Sequence, residues 1–238
     1  ISGFEHIAYN HEVISFFEYA NQVWVGTRGY GISIYEYDHS GKAVLKNKLL
    51  IDKSGDSELK NTISKIYKDK KSRIWICTLE GVYLYNDESS NFHAIKHSKN
   101  GKNVPSSNII SSIYCDDDYL WLATSNGINK IKWNNKNDYT ITRYVDRRNT
   151  NDIMAGNKIQ CITKFKDQTF LISTKNAIKF FDSGRCLFYD DQLLNVALER
   201  YGMRYVRSIF KDYYNNIWLA FSEGGAGSIN ASTGIFTR

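Results

Sequence analysis

The sequence predicts an all-β fold: a β-propeller segment of about five four-stranded antiparallel blades, an incomplete part of a larger ring of about seven. Three observations predict it. A short apolar strand centred on an aromatic residue recurs five times, the recurrences are evenly spaced, and each sits in the same order of alternating strands and polar turns.

The recurring strands are Val23-Trp24-Val25-Gly26-Thr27, Ile74-Trp75-Ile76-Cys77-Thr78, Leu120-Trp121-Leu122-Ala123-Thr124, Thr169-Phe170-Leu171-Ile172-Ser173-Thr174 and Ile217-Trp218-Leu219-Ala220-Phe221. Aligned on Trp24, Trp75, Trp121, Phe170 and Trp218, they step by 51, 46, 49 and 48 residues. That is the period of one propeller blade. Each anchor strand follows another alternating strand: 13–19, 63–67, 109–114, 159–165 and 206–210. Polar turns such as Asp69-Lys70-Lys71-Ser72-Arg73 and Asp212-Tyr213-Tyr214-Asn215-Asn216 separate the two, so the pair reads as a hairpin.

A second turn follows each anchor: Arg28-Gly29-Tyr30-Gly31, Leu79-Glu80-Gly81, Ser125-Asn126-Gly127, Lys175-Asn176-Ala177 and Glu223-Gly224-Gly225. Glycine or Asn supplies the positive φ that a tight hairpin needs. A third strand (32–37, 82–85, 178–181) and a weaker fourth (91–95, 234–237) complete the unit. One such sheet cannot bury both faces alone, so neighbours must stack, and the anchors are structural before they are anything else. The phase gives a single propeller segment with blades at roughly 10–50, 51–98, 99–145, 146–190 and 191–238. Residues 1–9 then read as the outer strand of a preceding blade. Such an open ring exposes the edges of its terminal blades, and self-association is expected.

Composition agrees. Of the 238 residues 42% are hydrophobic and 14% aromatic, with one Pro, which suits half-buried pleated sheet. No apolar run approaches the ~18 residues that cross a bilayer. The net charge is +6, but Lys and Arg are dispersed among Asp and Glu, and no nucleic-acid-binding motif is present. Cys77, Cys115, Cys161 and Cys186 form no C-x-x-C pair and are expected to be buried thiols packed as small apolar residues.

The pattern apolar-x-x-Ile-x-x-Asp, turn, Ile-Trp-Ile-x-Thr, x-x-Gly, apolar-x-x-Tyr, clearest from Ile63 to Asn86, resembles the two-component regulator propeller repeat. Lys102-Asn103-Val104-Pro105-Ser106-Ser107-Asn108-Ile109 is similar to the Leu-Pro-Ser-Asn-x-Val entry to that repeat's innermost strand. Phe170 for Trp and Phe221 for Thr depart from the pattern. The resemblance implies a periplasmic, ligand-sensing segment of an inner-membrane hybrid two-component protein of the Bacteroides type. Such segments detect carbohydrate and signal through a β-sandwich and a membrane helix to a histidine kinase. It implies no catalysis and no cofactor in this segment.

Propeller ligands meet loops gathered at one mouth of the channel. The second turns collect Arg28, Tyr30, Glu80, Asn126, Lys175 and Glu223 as candidate ligand-binding residues. Tyr30 suits stacking on a sugar ring, and Arg28 and Lys175 suit carboxylate or sulfate groups. Asp146-Arg147-Arg148-Asn149 and Arg204-Tyr205-Val206-Arg207 are expected to add basic charge there, which favours an acidic oligosaccharide. Two other readings stand beside this one. One is a scaffold for protein partners. The other is a glycan-cleaving enzyme using Glu80 and Glu223. Asp116-Asp117-Asp118 is a calcium candidate on a hairpin turn where Asp is expected anyway. His93 and His97, spaced i,i+4 on a strand and its exit, do not build a metal site, and no phosphate loop, nucleophile elbow or HExxH motif occurs.

Overall fold

The computed structural model describes residues 11–19, 21–86, 89–97, 101, 103–116, 118–134, 139–146, 157–174, 177–202, 204–230 and 232–237. These residues form five four-stranded antiparallel sheets, the blades of a β-propeller, each a meander in which sequence neighbours pair. Blade 1 is β1 (Val13–Tyr19), β2 (Gln22–Thr27), β3 (Ile32–Tyr37) and β4 (Ala43–Leu49). Blade 2 is β5 (Ile63–Lys68), β6 (Ile74–Thr78), β7 (Gly81–Asn86) and β8 (Asn91–Ile95). Blade 3 is β9 (Ile110–Cys115), β10 (Tyr119–Thr124), β11 (Gly127–Trp133) and β12 (Tyr139–Tyr144). Blade 4 is β13 (Ile159–Lys166), β14 (Thr169–Thr174), β15 (Ile178–Asp182) and β16 (Leu187–Asp190). A helix, α1 (Gln192–Arg200), precedes blade 5, which is β17 (Arg204–Lys211), β18 (Asn216–Glu223), β19 (Ala226–Asn230) and β20 (Phe236–Thr237). The outer strand expected over 1–9 lies outside the described residues.

The chain packs as two compact units, Ile1–Val104 with Asn108–Ile110, and Pro105–Ser107 with Ser111–Arg238. In the first, Trp24 enters a core with Ile63, Ile66, Ile74, Ile76, Tyr83 and Tyr85 of blade 2. Its ring meets Tyr85 edge-on at 5.5 Å. In the second, Trp121 packs on Phe170, Ile159, Ile162 and Ile172 of blade 4. Burying each such side chain contributes about 1.5–3 kcal/mol by area. The innermost strands are also joined by side chains. Ser15 Oγ donates to the Ile63 carbonyl at 2.8 Å in the first unit, and Cys161 Sγ to the Arg207 carbonyl at 3.5 Å in the second.

Three expectations are corrected. Trp75 pairs with Tyr67 and Leu84, and Trp121 with Lys130; the residue with equivalent pairing in blade 4, opposite Thr163 and Phe180, is Leu171. Leu171 therefore holds the anchor position, facing Ile217 and Leu219 of blade 5, while Phe170 points the other way towards Trp121. A one-residue slip exchanges faces on a strand, and the aromatic residue drew the alignment off by one. Helix α1 was not foreseen. Asp191 caps it by accepting the Leu194 N–H at 3.0 Å, and Leu194 and Leu198, four apart, are buried in the core of blades 4 and 5. Finally, Cys77, Cys115 and Cys161 are buried as expected, but Cys186 is exposed, at positive φ in the turn before β16. All four are free thiols.

Candidate functional site

The turns after the anchor strands are held by one repeated device. The threonine that ends the strand turns its hydroxyl back to donate to a carbonyl across the turn: Thr27 to Gly31, Thr78 to Gly81 and Thr124 to Gly127, each at 2.9 Å, and Thr174 to Ala177 at 3.2 Å. The same oxygen accepts the backbone N–H of Glu80 and of Asn126 at 3.0 Å. Gly127 has φ +90°, and a Cβ there would lie 2.2 Å from the Tyr144 carbonyl oxygen, so only glycine closes that turn.

In the first unit, two of these turns border the connection from blade 1 to blade 2. Gly29 donates its N–H to Thr62 Oγ1 at 3.0 Å, and Ser57 donates to Glu80 Oε2 at 2.7 Å. Arg28, Tyr30 and Glu80 thus flank one connection. Arg28 makes a bidentate pair with Glu12, Nε to Oε2 at 2.6 Å and Nη2 to Oε1 at 3.0 Å, and this hydrogen bonding raises the guanidinium pKa. The Tyr30 ring stacks on His11 at 3.5 Å and 14° and is still 57% exposed. Glu80 also faces the Lys96 ammonium at 3.6 Å. Burial lowers the Lys96 pKa, but Tyr83 and Glu80 together outweigh it and raise the value.

The base of that connection is clasped by buried Asn61. Its Oδ1 accepts the N–H groups of Ile51 (2.9 Å) and Asp52 (3.1 Å), and its amide donates to the Asp52 carbonyl. Asn108 likewise accepts the His97 N–H at 2.6 Å. In the second unit Asn157 accepts the Asp146 N–H and donates to its carbonyl. These clasps went unread in the sequence, although Asn two residues before the first inner-strand Ile recurs as Asn61-Thr62-Ile63, Asn108-Ile109-Ile110 and Asn157-Lys158-Ile159.

In the second unit Asn126 is exposed, and its neighbour Ser125 hydrogen-bonds Ser107 at 2.6 Å. Buried Asn129 receives the Ser106 N–H at 2.8 Å and donates to its hydroxyl, so the Pro-Ser-Ser run is an anchored entry. Lys175 lies outside the described residues, as do Arg147, Arg148 and Asn149. Asp146 is not part of an exposed basic run: it is buried and pairs with Lys179 at 3.5 Å. Residues 204–207 are not a connection either, since they begin β17, with Val206 in the core. Nor is Glu223 a turn residue. With Phe221 in place of threonine no hydroxyl closes the strand, β18 runs on to Glu223 opposite Arg204, and Gly224-Gly225 make the turn.

The carboxylate of Asp116 is spent within its own hairpin, accepting the Tyr119 N–H at 2.9 Å and Trp121 Nε1 at 3.1 Å. Asp117 lies outside the described residues. Among the described residues, no group of three or more His, Cys, Asp and Glu is placed to hold a metal ion. A cavity of about 220 Å³ between Phe165, Phe180, Tyr189, Leu194 and the 232–234 loop lies below the ~300 Å³ at which small-molecule sites begin.

No protein-family model matches the chain. It is 25% identical over 213 residues to Histidine kinase P4 of Formosa agariphila, a match spanning 85% of this chain and 14% of that protein. Among solved structures, the extracellular domain of the hybrid two component system BT3049 of B. thetaiotaomicron matches 96% of the chain, with TM-score 0.70 and 21% identity. The chain spans 30% of that domain. PorZ, a surface component of the type-IX secretion system of Porphyromonas gingivalis, matches 95% of the chain with TM-score 0.59 and 15% identity, and the chain spans 33% of it. The resemblance carried by the repeats is thus met again in the comparisons: the chain is similar to the extracellular domain of the hybrid two component system BT3049, and at these identities the likeness is one of fold.

Proposed function

We propose that the chain is a ligand-sensing propeller segment of a hybrid two-component protein, held in the periplasm, and that it recognises an oligosaccharide. The longer protein would relay occupancy across the inner membrane to a histidine kinase. The observation that carries the ligand class is the Tyr30 plate. An aromatic ring backed by His11 and 57% exposed offers an apolar face to a pyranose, beside the Arg28–Glu12 pair, whose donors and acceptors suit hydroxyls or a uronate. The turn that presents it is fixed by Thr27 and Thr62, so little ordering cost falls on binding.

Calorimetry with a panel of neutral and acidic oligosaccharides, run on the whole extracellular region, tests this reading. Saturable binding that weakens at least tenfold in Tyr30→Ala and shifts towards neutral sugars in Arg28→Ala supports it. No heat with any glycan, together with specific recovery of a protein partner, overturns it in favour of a protein scaffold.

A further inference from the structure

The cavity between blades 4 and 5 lies within the second unit, where Phe165, Phe180, Leu194 and Ile229 give it apolar walls and Lys166 and Asp191 add one charge of each sign. Consecutive strand residues ordinarily face opposite sides of a sheet. Here Lys164 pairs with Phe170 and Lys166 with Thr169, so Phe165 is the extra residue of a bulge, and Phe165 and Lys166 both come to line the cavity. The Phe165 and Phe180 rings meet edge-on at 4.9 Å, and Phe180 stacks on Tyr189 at 5.4 Å, so the wall is an aromatic cluster bordering empty space. Asp191 is fixed by its bond from the Leu194 N–H. The 232–234 loop is fixed by Asn230, whose Oδ1 accepts the N–H groups of Ser232 and Thr233 at 3.0 Å. The lining is thus set before anything binds.

We propose that this cavity binds a free aromatic amino acid, with the ring against Phe165, Phe180 and Leu194, the carboxylate on Lys166 Nζ and the ammonium on the carboxylate of Asp191. Size and charge select that ligand. At about 220 Å³ the space is too small to enclose a whole small molecule, yet it exceeds the ~150 Å³ that takes up benzene in an engineered apolar cavity. One ring fits inside, and the rest of the ligand stays at the lining's polar groups. Among the described residues neither Lys166 nor Asp191 has an ion-pair partner: Lys166 Nζ lies 5.7 Å from the Phe165 ring centroid, and Asp191 spends Oδ1 on the helix cap. A ligand that fills the space and meets both charges carries a ring, an anion and a cation. An aromatic amino acid places its two charges on one carbon, a methylene from the ring, and its ring extends the edge-on and stacked aromatic cluster. The site is separate from the Tyr30 turn and does not rest on the oligosaccharide reading.

Calorimetry on the full chain with L-phenylalanine tests the proposal. Saturable binding at one site is expected, and three analogues dissect it: phenethylamine lacks the carboxylate, 3-phenylpropionate the ammonium and L-alanine the ring. Each is expected to bind at least about tenfold more weakly. Lys166→Gln is expected to weaken L-phenylalanine by a similar factor and leave phenethylamine unchanged, because the partner lost is the carboxylate's. Asp191→Asn, which keeps a capping side chain for α1, is expected to weaken L-phenylalanine and leave 3-phenylpropionate unchanged. Tyr30→Ala is expected to change none of these, which separates this site from the one proposed for oligosaccharide. Should the variants fold poorly, saturation-transfer NMR on the wild-type chain gives a second readout: the ring protons of L-phenylalanine must receive more saturation than its α proton. No binding of L-phenylalanine at millimolar concentration overturns the proposal, and so does binding of equal strength in well-folded Lys166→Gln and Asp191→Asn. Saturable binding of glucose or glucuronate that Lys166→Gln abolishes, with none of L-phenylalanine, overturns it in favour of a single sugar.

Discussion

Trp75 donates its indole N–H to Asp69 Oδ2 at 2.9 Å, and both residues are buried. The same carboxylate accepts Arg73 Nε at 2.6 Å and the backbone N–H groups of Lys71 and Arg73, so one aspartate closes the turn and ties it to the anchor. Asp116 with Trp121 and Asp212 with Trp218 repeat the arrangement. In blade 4 the anchor is Leu171, which has no side-chain N–H to offer, and this bond has no counterpart there among the described residues. Removing the donor at Trp75 leaves a buried charged acceptor short of a bond. Trp75→Phe is expected to cost about 1.5–3 kcal/mol in urea unfolding, and Trp218→Phe, at an exposed position, distinctly less.

Asp212 gives a pH dependence with a definite sign. The hydrogen bond from Trp218 is the largest cause of its depressed pKa, followed against it by burial and reinforced by the amide of Asn216. The folded state therefore binds fewer protons than the unfolded chain in the carboxylate range. The contribution is present above the unfolded value and is lost as pH falls through the folded one. The stability gap between wild type and Asp212→Asn should be widest near neutrality and close as pH falls below the ordinary Asp value of about 4.

Lys179 and Asp146 form a buried pair at 3.5 Å, with side chains 11% and 5% exposed. Lys179→Met takes the ammonium away from a buried carboxylate and is expected to destabilise by about 1–3 kcal/mol. Adding Asp146→Asn should recover part of that loss in a double-mutant cycle measured by denaturant unfolding.

Asn61→Ala removes the acceptor of two backbone N–H groups and a donor to the Asp52 carbonyl. A loss on the order of 2–4 kcal/mol is expected, with faster hydrogen exchange at Ile51 and Asp52 and little change at the centre of β6.

Thiol chemistry should separate the cysteines. Cys186 is exposed, whereas burial pushes the Cys77 thiol pKa far up and keeps it from ionising. One thiol per native chain is expected to react quickly with a disulfide reagent, none in Cys186→Ser, and four after unfolding.

Blade order, strand pairs and hairpin turns were legible because period-two alternation and turn residues are local signals. Phe170 misled because composition marks a strand but not which of its faces meets the neighbour, and only pairing with Phe180 reveals Leu171 as the anchor. The start of α1 was hidden in a segment where two leucines four apart suffice once a core is offered to them. The candidate site was legible as turns, not as contacts. Tyr30 and Arg28 could be named, but His11 and Glu12, which complete them, come from before β1 and reach them only in the fold.

The asparagine clasps also bear on how such a protein can change over generations. Each closes a connection at its base, with Asn61 reaching back ten residues to Ile51 and Asn157 eleven to Asp146. The residues that Asn61 encloses lie outside the strands of both blades and meet them through bonds such as that from Ser57 to Glu80, so substitutions there can drift under selection for a new ligand while the sheets are inherited unaltered.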